Sequence, residues 1–161
     1  MASVLNQILR AARLEREAFV RAVVSPNAVA DGLVIVGAVW LLLAAILVDG
    51  FDLLLFVRIA LSGLFAWIVL SGVIYLMGKH VFQGYGSFPG TMVMTALVHP
   101  LLLVIPLVRL WAEGFMVIVL GSLWFLVALV PGTRVALDLK VEHAALAVGA
   151  GYLVWLVFGW R

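Results

Sequence analysis

An all-α polytopic membrane protein, with five transmembrane helices behind an amino-terminal amphipathic interfacial helix, is the fold this sequence predicts. Three observations predict it. Of the 161 residues, 66% are hydrophobic and only 11% are charged, whereas a soluble domain is about a quarter charged. The apolar residues gather into five runs that, at about 1.5 Å rise per residue, approach the thickness of a bilayer core. Glycine, proline and charged residues collect between those runs, where the chain must turn. The division that follows is residues 1–24 as the interfacial helix and 25–161 as the transmembrane domain.

Met1 to Val24 is amphipathic at helical spacing. Val4, Leu5, Ile8, Leu9, Ala12, Phe19, Val20 and Val23 recur on one stripe, while Arg10, Arg13, Arg16, Glu17 and Arg21 fall elsewhere. A signal peptide would carry a continuous apolar core before a small-residue cleavage site, and Ala28-Val-Ala30 precedes the first long apolar run instead of following it. The segment is read as an anchor lying along the membrane surface, with a partner-binding or lipid-sensing arm as the functional alternative.

Ser25-Pro26-Asn27 ends that helix, and the first span is placed at about residues 32–48 with Asp31 before it. An acidic turn, Asp49-Gly50-Phe51-Asp52, leads to the second span at 53–77. Arg58 lies about one turn inside it, and Ala60, Ser62, Gly63, Ala66, Ser71 and Gly72 are small enough for a neighbouring helix to approach closely. Gly78 to Gly90 is read as a flexible loop. The third span, 89–110, holds Pro89 at its start and Pro100 and Pro106 inside, so a kink or unwound turn is expected near His99. Irregular backbone at membrane depth survives only where other protein covers it, which draws attention to this segment.

Trp111-Ala-Glu113-Gly114 connects to a fourth span at 115–130 that ends at Pro131-Gly132. Thr133 to His143 fits either a short helix or an extended loop at the membrane surface. The fifth span, 144–160, carries the pairs Ala145/Gly149 and Ala147/Gly151, small residues four apart that favour helix contact. Trp111, Tyr152, Trp155 and Trp160 near span ends are compatible with an aromatic belt.

Five spans put the termini on opposite sides, and the basic residues choose between the sides. Arg10, Arg13, Arg16, Arg21, Lys79, Arg134 and Lys140 fall on one, and Arg58, Arg109 and Arg161 on the other. This asymmetry places the amino terminus in the cytoplasm and the carboxyl terminus outside. The formal net charge of +2 is ordinary for such a chain, so nucleic acid is not expected as a partner.

Two stretches carry a resemblance. Met77-Gly-Lys-His-Val-Phe-Gln-Gly-Tyr-Gly-Ser-Phe88, followed by a span interrupted at His99-Pro100, is one. Gly132-Thr-Arg-Val-Ala-Leu-Asp-Leu-Lys-Val-Glu-His-Ala-Ala-Leu146 is the other, and Pro26 before the first span also fits. Over about residues 20–160 the chain resembles bacterial members of the Yip (Ypt/Rab-interacting protein) domain family. The resemblance implies a five-span protein of the bacterial cytoplasmic membrane with a cytoplasmic amino terminus. Eukaryotic members are associated with Rab-type GTPases, but this chain has no Asp-Leu-Tyr-Gly-Pro motif and no long amino-terminal domain, so GTPase binding is not carried over.

No cysteine is present, which excludes disulfides, thiolate metal sites and cysteine nucleophiles. His80, His99 and His143 lack the spacing of a metal-binding pair on one helix. No metal, cofactor or catalytic residue is therefore expected, and neither is enzyme activity. The candidate functional residues are His99 and Pro100 at the broken span and Arg58 and Arg109 at the depth of span ends. Asp31, Asp49 and Asp52 are read as solvated helix ends. Gly63, Gly72, Ala145, Gly149, Ala147 and Gly151 are the candidate helix-packing positions.

The expectation is a non-catalytic membrane protein that acts through membrane lipids and through other integral subunits or itself, in one form an accessory subunit of a larger complex. The alternative is a small transporter or channel that uses the broken third span.

Overall fold

The computed structural model describes residues 6, 10–11, 13, 15–25, 27–47, 52–109 and 115–159. Seven α-helices follow one another in these residues: α1 (Arg16–Val24), α2 (Ala28–Leu47), α3 (Leu53–Leu76), α4 (Phe88–Val98), α5 (Val104–Arg109), α6 (Phe115–Leu137) and α7 (Val141–Gly159). A π-helical turn, Met77–Val81, extends α3, and a 3-10 turn, His99–Leu103, joins α4 to α5. No strand occurs among the described residues. Among the described residues, four helical stretches are long and apolar enough to cross a membrane: Ala28–Ile46, Leu53–Val81, Phe88–Pro106 and Ile118–Leu137. A fifth apolar stretch, Val141–Val157, is shorter.

The third of these stretches is the centre of the bundle. More than half of its span-length window, 56%, is buried, against 22–28% for the other three. α4 packs against α1, α2, α3 and α6, and the 3-10 turn beyond it touches α2 and α6. Around this core α2 meets α3, α3 meets α7, and α7 meets α6. The outer faces of those helices keep large apolar side chains exposed, Leu54, Leu61, Phe65 and Leu153 among them, as a lipid-facing surface does.

The helix bounds differ from expectation at several points. α2 starts at Ala28, one turn before residue 32, and this puts Asp31 in its first turn, where a carboxylate faces the positive end of the helix dipole. The fourth long helix does not stop at Pro131 but runs through it to Leu137. A proline costs a helix one backbone hydrogen bond, which neighbouring helices compensate, and Gly132 beside it lies directly under Met94 of α4 and Phe19 of α1. Its true end is Asp138, which takes the left-handed conformation at φ 51° while the Leu139 amide reaches back to the Arg134 carbonyl at 3.3 Å. That is a Schellman ending with an aspartate where glycine is usual. The residues read as a surface segment, 133–143, are thus the last turn of α6, a tight reversal and the first turn of α7.

The glycine-rich connector is also not a free loop. Tyr85 N–H donates to the Leu137 carbonyl at 3.0 Å, satisfying one of the four orphan acceptors at the end of α6. Gly86 makes this approach feasible, because a Cβ there would overlap the Ala136 carbonyl.

α1 is docked on the bundle through one face. Phe19 is fully buried and Ala18 and Ala22 nearly so, against α6 and α4, while Arg16, Val20, Arg21 and Val24 face outward. The rest of the expected interfacial helix, residues 1–5, 7–9, 12 and 14, lies outside the described residues.

Candidate functional site

Five polar side chains are buried among the described residues: Ser71, Thr91, Thr95, His99 and Thr133. Thr91, Thr95 and His99 are spaced four apart, so they stand in one row along α4, on a helix enclosed by four others. α3 supplies the facing groups. Trp67 Nε1 donates to Thr95 Oγ1 at 2.9 Å and to the Met92 carbonyl at 3.2 Å. Ser71 Oγ donates to the Trp67 carbonyl at 2.8 Å and shares a 2.7 Å hydrogen bond with Thr95 Oγ1. Membrane helices rarely carry such groups unpaired, since lipid offers no alternative partner.

His99 sits where this row meets the helix break. Pro100 forces the turn, and the His99 amide bonds to Ala96, three residues back, instead of four. The Thr95 carbonyl, which an α-helical amide would have taken, lies 2.8 Å from His99 Nδ1 instead. A carbonyl only accepts, so Nδ1 carries the proton and Nε2 is left with a lone pair. Nothing among the described residues donates to that Nε2. Phe125 of α6 meets the imidazole edge-on at 5.7 Å between centroids.

Phe125 also packs on Trp155 at 6.2 Å, and Trp155 stacks on Tyr152. Trp155 is therefore part of the core and does not belong to an aromatic belt at the surface. Its indole N–H and that of Trp40 find no acceptor among the described residues. The site as a whole can hold a broken helix in place and accept one hydrogen bond or one proton at Nε2.

The other candidates fall elsewhere. Arg58 is exposed on α3. The Arg109 side chain lies outside the described residues. Asp52 caps α3, accepting from the Leu55 amide at 3.0 Å, and Asp31 is exposed; Asp49 is outside the described residues. Gly63 lies beneath the Trp40 indole, with no room for a Cβ, whereas Gly72 has its nearest neighbour, Phe88, at 4.0 Å. Ala147 is buried, and a Cβ on Gly151 would lie 2.7 Å from Ile74 of α3. Ala145 is exposed, and the Cβ direction of Gly149 meets nothing within 4 Å. No group of three histidine or carboxylate residues placed to hold a metal occurs among the described residues.

Sequence reasoning missed Trp67, Thr91 and Thr95, and took Ser71 only for its size. The available signal was the i, i+4, i+8 row of polar residues ending at His99, inside an otherwise apolar span.

At the other end of the chain, Arg10 pairs with both Glu15 and Glu17, the latter at 2.9 Å, and Arg21 approaches Glu17 at 3.7 Å. The hydrogen bond from Arg10, more than its charge, holds the Glu17 carboxyl below its usual range, and the two glutamates raise the Arg10 guanidinium.

Comparison of the chain with models of known families, with curated proteins and with solved structures finds no match.

Proposed function

We propose that this chain is a five-span protein of the bacterial cytoplasmic membrane, of the Yip-domain type, with its amino terminus inside. In this reading it works without catalysis, by packing against other membrane subunits or a second copy of itself. One observation carries the reading. α7 has two steps of small residues on different faces, and the fold uses only one of them. Ala147 and Gly151 seat α7 against α3, while Ala145 and Gly149 are turned outward with open space above Gly149. Without a hydrophobic force between helices in lipid, such close approach is what holds membrane helices together.

The test is extraction of the native membrane in a gentle detergent, affinity isolation of the chain and mass spectrometry of what accompanies it. A stoichiometric set of subunits, lost in Gly149→Leu, supports an accessory role. A chain isolated alone in both forms overturns it.

A second reading, a small transporter or channel through the broken third span, is favoured by the unpartnered Nε2 of His99 at mid-bundle. His99 is fully buried in this conformation, so that reading requires a second, open one. It predicts that His99→Ala and Pro100→Ala abolish flux in proteoliposomes while leaving partner association unchanged.

A further inference from the structure

The outer face of α1 sets arginines beside exposed valines. Arg16 and Arg21 frame a shallow recess of about 230 Å³ whose lining is completed by Glu17 and Val20. Glu17 is engaged by Arg10 at 2.9 Å from outside the recess and is approached by Arg21 at 3.7 Å, so its charge is compensated within the arm. Arg16 makes no ion pair among the described residues. Val20 and Val24 are 42% and 77% exposed along the same face, and Arg13 is exposed just before it. The inner face of the same helix is pinned by Phe19, so the helix cannot turn these groups inward.

We infer that this face binds the phosphate of an anionic phospholipid, with Arg16 and Arg21 on the headgroup and Val20 and Val24 against the upper acyl chains. The inference rests on the reading that α2, α3, α4–α5 and α6 cross a bilayer. Only Ser25, Pro26 and Asn27 separate α1 from α2, which holds α1 at the level where headgroups lie. Charge selects the occupant: two guanidiniums with their planar donor forks match a phosphate, and apolar side chains beside them match what a lipid carries next to its phosphate. A protein partner would need acidic groups set against valines, and nothing in the face requires that.

The test uses the full chain in nanodiscs of phosphatidylcholine alone and of phosphatidylcholine with phosphatidylglycerol in equal parts, read by hydrogen exchange of residues 16–24 and by native mass spectrometry of retained lipid. Phosphatidylglycerol is expected to slow exchange in α1 and to be retained over phosphatidylcholine. That preference should fall about fivefold for each of Arg16→Gln and Arg21→Gln, and should persist in Lys140→Gln at the same end of the bundle. Equal exchange in both nanodiscs, or a preference untouched by the arginine variants, overturns the inference. Protection reproduced by inorganic phosphate in the phosphatidylcholine discs overturns the assignment to lipid. A chain that does not co-elute with nanodiscs of either kind overturns the spanning reading itself, and the lipid site with it.

Discussion

His99 Nδ1 lies 2.8 Å from the carbonyl oxygen of Thr95, in the place that the His99 amide would occupy if α4 continued unbroken. The side chain thus replaces the backbone donor that the 3-10 turn has redirected to Ala96. The break at Pro100 is stable because the residue before it brings its own donor on a ring large enough to fill the gap against Phe125.

Replacing that ring should be costly. His99→Ala removes a hydrogen bond and leaves a cavity in a packed core, so a loss of about 2–5 kcal/mol is expected from the cavity and the unpaired carbonyl together. His99→Asn keeps an N–H donor on a short side chain and should recover part of the loss. Thermal unfolding in detergent, followed by tryptophan fluorescence, ranks the two; equal losses would mean that the hydrogen bond to Thr95 contributes nothing.

Gly63 and Gly149 make a contrasting pair. Alanine is the better helix former by about 0.5–1 kcal/mol, so Gly149→Ala, with open space around it, should leave stability unchanged or slightly raised. Gly63→Ala drives a methyl group into the Trp40 indole and should destabilise by about 1–3 kcal/mol despite the same gain in propensity. The same unfolding assay decides between them.

The cap on α6 is a backbone interaction, and two variants separate backbone from side chain. Tyr85→Ala should be nearly silent, since the side chain is 90% exposed. Tyr85→Pro removes the N–H that meets Leu137 and should cost about 1–3 kcal/mol, with faster hydrogen exchange in the last turn of α6.

The ion pairs of the amino-terminal arm should be pH-sensitive in one direction. Glu17 titrates below its usual 4.5 because Arg10 binds the carboxylate, so its contribution is complete above that value and is lost as pH falls through the lower folded value. Arg10 is raised and stays charged throughout, so it adds no dependence in acid. Glu17 is exposed and Arg10 partly so, and the effect should be small and weakened by salt. Amide exchange in residues 10–17, corrected for its intrinsic rate, should accelerate from neutral pH to strong acid, and Glu17→Gln should remove that trend.

Much of the architecture was legible in the residues alone. Apolar runs of bilayer length, separated by Asp49-Gly50 and by the glycines from Gly78 onward, can only be helices that bury their own backbone hydrogen bonds. Pro100 foretold the break in the third span, since a missing N–H and a crowded carbonyl act within one turn of the chain. Pro131 did not break its helix: whether a proline is tolerated depends on the tertiary surroundings, and here the neighbouring Gly132 is packed under Met94 and Phe19.

What the sequence determined by itself is local: where helices form and which one is interrupted. Those properties follow from propensity, periodicity and charge along a single stretch. The tertiary structure alone decided that the interrupted helix is central, that Trp67 and Ser71 of α3 meet Thr95 of α4, that Tyr85 caps α6, and which small step of α7 is used inside. Each of these joins residues far apart in the chain, and several arrangements of such apolar helices would bury similar area. Close packing chooses among them, through whether a glycine lies under an indole or a hydroxyl faces a hydroxyl.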